Sequence, residues 1–130
     1  MMRTIIFRGK RIYRDNGTDF VYGFYVYNKI LKQHRINTPS GGSAEVSPAT
    51  VGQFTGLLDK EGKDIYEGDI VEYDSAKNEY GGKLFVNMVC WDYARSQWAL
   101  SPYSRPYYLG EEMRVIGNVT DHSELLEKSK

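Results

Sequence analysis

The sequence predicts an all-β protein built around a small barrel, on three observations. Short runs of β-branched and aromatic residues recur at roughly 8–12-residue spacing, each bounded by Gly, Asn or Pro. The 130 residues include 11 Tyr, 5 Phe and 2 Trp, side chains that suit a pleated, half-covered surface. No internal repeat, heptad run or low-complexity tract is present, which excludes a solenoid or a coiled coil.

The elements follow in chain order. Thr4 to Arg8, Lys10 to Tyr13 and Phe20 to Tyr27 read as strands, with Gly9 and then Asn16-Gly17 between them. Asn and Gly both tolerate positive φ, so Asn16-Gly17 suits a tight hairpin turn. Along the third strand, Phe20, Tyr22, Phe24 and Val26 would share one face, and Val21, Tyr25 and Tyr27 the other. Both faces are apolar enough to be covered. Tyr25 to Asn28 and Ile30 to Asn37 are expected to pair around Asn28-Lys29. From Thr38 to Ala49, two Pro, two Gly and three Ser leave little to bury and predict a flexible loop over 38–49.

The remaining elements keep the same style. Thr50 to Leu57 resumes the strand pattern, and Asp59 to Lys63 is a turn whose Gly62 takes the left-handed conformation. Gly68 to Tyr73 starts a strand, Asn78 to Gly82 turns the chain, and Lys83 to Trp91 is a long apolar run. Ala94-Arg95-Ser96 reverses it into Gln97 to Leu100, and Ser101 to Tyr108 reads as a proline-stiffened loop. Arg114 to Val119 closes the sheet. Asp121, with Glu124 three residues on, predicts a short helix from His122 to Lys128. Ile70 or Val71, Phe85, Val89, Trp91, Trp98, Val115 and Val119 are the expected barrel-facing residues.

Zero net charge conceals an asymmetry. Residues 1–50 hold eight Lys and Arg against three Asp and Glu, or +5, and residues 51–130 hold nine against 14, or −5. Such a split brings phosphates to the basic half or brings copies of the chain together. A single Cys90 excludes an internal disulfide. The opening Met-Met-Arg-Thr-Ile-Ile-Phe-Arg is too short in apolar residues for a signal core or a span, so a cytoplasmic protein with no membrane partner is expected.

Little catalytic chemistry is legible. An EF-hand loop starting at Asp59 would need Gly at its sixth position and Glu at its twelfth, where Asp64 and Ile70 stand. One Cys and two distant His, His34 and His122, give no zinc spacing, and no phosphate-binding glycine loop occurs. Cys90, within an apolar strand, reads as a buried thiol. No enzyme, no metal and no cofactor are expected. A single-stranded nucleic-acid groove is the alternative, with Arg8, Lys10, Arg11 and Arg14 on phosphates and Tyr22 and Tyr25 stacking bases. The preferred reading is that the tyrosines pack the sheet and the arginines solvate its edge, because the acidic half opposes long-range attraction of polyanions.

Three segments carry a resemblance to a family. Thr50-Val-Gly-Gln-Phe-Thr-Gly-Leu57, Asp59-Lys-Glu-Gly-Lys-Asp-Ile-Tyr-Glu-Gly-Asp-Ile-Val71 and Val115-Ile-Gly-Asn-Val119, preceded by Arg8-Gly9-Lys10, resemble the YopX family of phage and prophage proteins. The resemblance covers essentially the whole chain, and Gln53 to Val71 is its most specific part. It implies a small, mostly β protein of phage or prophage origin and supplies no catalytic residue or cofactor. Gly68-Asp69-Ile70-Val71 also resembles the start of a strand in an SH3-like barrel, where the glycine turns the chain and the acid caps the turn.

The expected architecture is therefore an N-terminal β extension over 1–49 and an SH3-like β-barrel with a short C-terminal helix over 50–130. The expected role is that of a non-enzymatic accessory protein that self-associates as a homo-oligomer, with a further phage or host protein as a possible partner.

Overall fold

The computed structural model describes residues 3–12, 19–74, 84–101, 105–106 and 113–127. The expected turns at Asn16-Gly17 and Asn78 to Gly82, Arg14, and most of the Ser101 to Tyr108 loop lie outside the described residues. The chain divides into two compact units, Met1–Phe54 and Thr55–Lys130.

In the first unit, β1 (Phe7–Lys10), β2 (Phe20–Asn28), β3 (Gln33–Asn37) and β4 (Ser43–Glu45) form an antiparallel sheet in the order β4-β3-β2-β1. The first residues of β5 (Gly52–Leu58) flank β1, with Phe7 opposite Gln53. β1 runs through Gly9 as one strand instead of two. Val21, Ile36 and Val46 make the core of this unit, with Phe7, Ala44 and Val51 packed against them.

Residues 38–49 differ from the expected flexible loop. The Thr38 amide donates to the Gly42 carbonyl at 2.8 Å and the Gly41 amide to the Thr38 carbonyl at 3.0 Å, a tight turn that returns β4 against β3. Val46 then enters the core and Pro48–Thr50 forms one turn of 3₁₀ helix. Composition counts the small and polar residues but misses the backbone bonds they close.

In the second unit, β5 ends and β6 (Asp64–Tyr66) follows. Then come β7 (Asp69–Asp74), β8 (Leu84–Asp92), β9 (Gln97–Ser101), β10 (Arg105–Pro106), β11 (Met113–Asn118) and the helical turn α1 (Glu124–Glu127). Strands β7 to β11 form an antiparallel sheet in the order β10-β9-β8-β7-β11, so the last strand lies beside the first. Cross-strand register places Val71, Asn87 and Val115 on one face, and Val89 opposite Leu100 continues it. That face carries the core of Ile65, Val71, Val89, Leu100 and Met113, with Tyr73, Trp98 and Val115 against it. Tyr73 stacks on Phe85 at 5.4 Å, and Trp91 meets Trp98 edge-on at 4.9 Å.

Among the described residues the fold is mainly β, in two antiparallel sheets with one short α-helix. Among the described residues the strands form no closed barrel. Ile70 and Val71 are both fully buried, whereas Val119 is 36% exposed and outside the core. The helix begins at Glu124 and not at His122, because the His122 Nδ1 accepts the Asn118 amide at 3.1 Å and holds a turn. Among the described residues no helix is long and apolar enough to cross a membrane.

Candidate interaction surface

Strand β2 changes character along its length. Val21 and Gly23 are buried over the first core, but from Phe24 to Tyr27 every side chain is exposed, so the period-2 alternation stops. β3 pairs along this stretch with Tyr25 opposite Ile36 and Tyr27 opposite His34. The ribbon ends in a four-residue turn, Lys29 to Lys32, and not around Asn28-Lys29 as the sequence suggested. The Asn28 Oδ1 accepts the amides of Ile30 at 3.0 Å and Leu31 at 2.9 Å, and Lys32 takes a left-handed φ of 55°. This turn leaves Ile30 92% and Leu31 58% exposed, with a lysine on each side.

One face of the ribbon presents Tyr22, Phe24 and Val26. The other holds an aromatic stack. The Tyr25 hydroxyl and the His34 Nδ1 share a hydrogen bond of 2.5 Å, the two rings lie nearly parallel at 5.9 Å, and Tyr27 sits 4.8 Å from the imidazole. The exposed apolar side chains are therefore contiguous on two faces and a tip. Singly exposed apolar residues are ordinary; a contiguous set is the form an interaction site takes.

Two of the cations named for a nucleic-acid groove are buried against one aromatic ring. Arg8 and Lys10 are only 7% and 4% exposed, on the same face as Phe20, with the guanidinium carbon 4.3 Å and the ammonium 4.5 Å from its ring centre. Arg11 is exposed beyond the end of β1, and Arg14 lies outside the described residues. Tyr22 and Tyr25 are both exposed but point to opposite faces of β2.

Gly68 has φ +90°, accepts the Val119 amide and donates its own to Val89, both within 3 Å. The Asp69 carboxylate, buried beside it, accepts the Tyr66 amide at 2.8 Å. The carboxylate of Asp59 is similarly engaged. Asp59 takes the amides of Glu61 and Lys63 on Oδ1 and of Val115 on Oδ2, all at 2.8–2.9 Å. Among the described residues no group of three or more His, Cys, Asp or Glu is placed to hold a metal ion. Burial, then the charges of Asp92 and Glu67, pushes the Cys90 thiol up, away from the thiolate a nucleophile needs.

The family model described as YopX protein matches residues 8–127, nearly the whole chain. The chain belongs to the YopX family. In fold it is similar to the crystal structure of protein EF1440 from Enterococcus faecalis, with TM-score 0.57, 21% identity and coverage of 96% of this chain and 99% of that one. At that identity the likeness speaks for the fold alone. A comparison with curated proteins gives no match.

In this YopX member the residues that sequence reasoning overlooked are Ile30, Leu31 and His34. The signal was present: two branched apolar residues between two lysines, immediately after an Asn able to cap a turn, mark a tip with no polar side chain to solvate it. His34 required the register, which places it opposite Tyr27 and not in an open polar stretch.

Proposed function

We propose that this member of the YopX family is a non-enzymatic interaction module that self-associates, with the β2–β3 ribbon as its contact. It is an accessory protein of phage or prophage origin that works in the cytoplasm. The second unit is a partly open SH3-like barrel, a reading supported by β11 lying beside β7 at the end of a four-strand meander. One observation carries the proposal: apolar exposure on both faces and the tip of one ribbon. From Phe24 to Tyr27 the exposed stretch of β2 spans roughly 10 Å at about 3.3 Å per residue, and the turn that carries Ile30 and Leu31 follows it. Burial of Arg8 and Lys10 against Phe20 weighs against the nucleic-acid alternative.

Light scattering behind gel filtration tests the proposal. The wild-type chain is expected to elute as an oligomer, and Ile30→Ser with Leu31→Ser as a folded monomer whose thermal midpoint falls no further than that of the wild type does on dilution, since both side chains are exposed. A wild-type monomer at all concentrations refutes it.

A further inference from the structure

We infer that His34 is a pH switch on self-association, leaving the ribbon competent to bind a second copy while its imidazole is neutral and releasing that copy in acid; this rests on the self-association proposed above. Alternation sorts the strands of the first unit by charge. Across β1 and β2, Arg8 stands opposite Tyr22 and Lys10 opposite Phe20; across β3 and β4, Arg35 stands opposite Glu45. Tyr22 and Phe20 share a face with Val26, which is opposite Arg35, so these four charged side chains of β1–β4 lie on one face. The other face runs from the buried Val21 and Ile36 out to Tyr25, Tyr27 and His34. Within β1–β4, His34 alone sets the charge of that face.

The groups around the ring leave an added proton uncompensated. β2 supplies the Tyr25 and Tyr27 phenols, and β4 supplies Ala44, opposite Ile36. The neighbouring Gln33 and Arg35 turn to the opposite face, where the Arg35 Nη1 donates to the Gln33 Oε1 at 2.6 Å. Glu45, the carboxylate of β4, is on that far face too, and residues 20–37 include no Asp or Glu. The other titratable side chains nearby in the chain are cationic: Lys29 and Lys32 in the tip turn, and Arg11 beyond the end of β1. The Tyr25 hydroxyl, 2.5 Å from Nδ1, does not select a protonation state, because a neutral ring accepts from it and a protonated ring donates to it. Stacking on Tyr25 and Tyr27 exists in the free chain as well, so cation–π attraction cancels between free and assembled states. Desolvation decides. A half-buried imidazole that becomes covered by a second copy is cheaper to bury neutral than charged, and in a symmetric contact each partner would bring its own positive ring. The assembly therefore binds fewer protons than the free chains, and association weakens as pH falls through the range of about pH 8 to 5 in which histidine changes charge.

Light scattering over a dilution series at about pH 7.5 and about pH 5.5 tests this on the full chain. The dissociation constant of the wild-type assembly should rise about tenfold or more in acid. His34→Phe and His34→Gln, neither of which can gain the charge, should each change by less than about threefold between the same two conditions. His122 is the chain's other histidine, so His122→Gln should keep the wild-type dependence. Without any substitution, dissociation near about pH 6 should take up protons, read as a heat of dilution that varies with the ionisation enthalpy of the buffer. An assembly equally tight in both conditions, a pH dependence that persists in both His34 variants, or a dilution heat indifferent to the buffer overturns the switch and leaves self-association standing. A wild-type monomer in both conditions overturns both.

Discussion

The side chain that ties most backbone together is Asp59. Its carboxylate is almost inaccessible, and burial alone would raise its pKa, but the amides of Val115, Lys63 and Glu61 and the charge of Lys63 outweigh burial and hold it below the ordinary value of 3.8. A carboxyl depressed in the folded state binds its proton more tightly when unfolded, so it contributes stability above its unfolded pKa. That contribution is lost as pH falls through 3.8 towards the folded value. Asp59→Asn turns an NH₂ towards at least one of these three amides, leaving a donor facing a donor, and should cost about 1–3 kcal/mol near pH 7. The thermal midpoints of wild type and Asp59→Asn should differ at pH 7 and draw together as pH falls below 3.8; a gap that does not narrow there would assign the loss to packing. The same three bonds occupy the carboxylate that a calcium reading of the acidic run would have needed.

Among the elements, the β2–β3 ribbon depends on the absence of one side chain. A Cβ at Gly23 would stand 2.1 Å from the Asn37 carbonyl oxygen, which is backbone and cannot swing aside. Gly23→Ala should therefore destabilise the chain by about 1–3 kcal/mol and strip amide-exchange protection from β2 and β3, whereas the β7–β8 pairing should keep its protection. Equal loss in both places would mean the ribbon is not a separable element. Much of this element was legible: Phe20 to Tyr27 is rich in β-branched and aromatic residues, and a hairpin with the segment that ends at Ile36 and Asn37 was expected. The turn was misplaced because Asn28 caps Lys29 to Lys32 with its side chain, a bond that propensity does not register. Arg8 and Lys10 look in sequence like a solvated basic stripe; period 2 does put them on the face of Phe20, but nothing local says that their stems cover a ring. Ile65 and Met113 were missed for the opposite reason, since each follows an acidic residue and stands in no long apolar run.

For the whole molecule, the division into units falls where the charge changes sign. Residues 51–54 carry no charge, so Met1–Phe54 holds the same +5, and Thr55–Lys130 the same −5, that the two parts of the sequence show. A body of zero net charge exerts no long-range pull on a polyanion, yet two copies can still meet basic patch to acidic patch at contact range. Salt separates the two forces that self-association through the ribbon would combine. Between about 0.1 M and 1 M NaCl the screening length falls from about 10 Å to about 3 Å, which weakens the basic-to-acidic part, while the apolar contact of Phe24, Ile30 and Leu31 persists. Sulfate screens as well but is excluded from protein surface and strengthens apolar burial. The assembly should accordingly loosen several-fold in NaCl without dissociating fully, and regain affinity when sodium sulfate replaces NaCl at equal ionic strength. Light scattering that shows tightening throughout the NaCl series would remove the charges from the contact and leave the exposed aromatic and aliphatic faces of the ribbon as its whole cause.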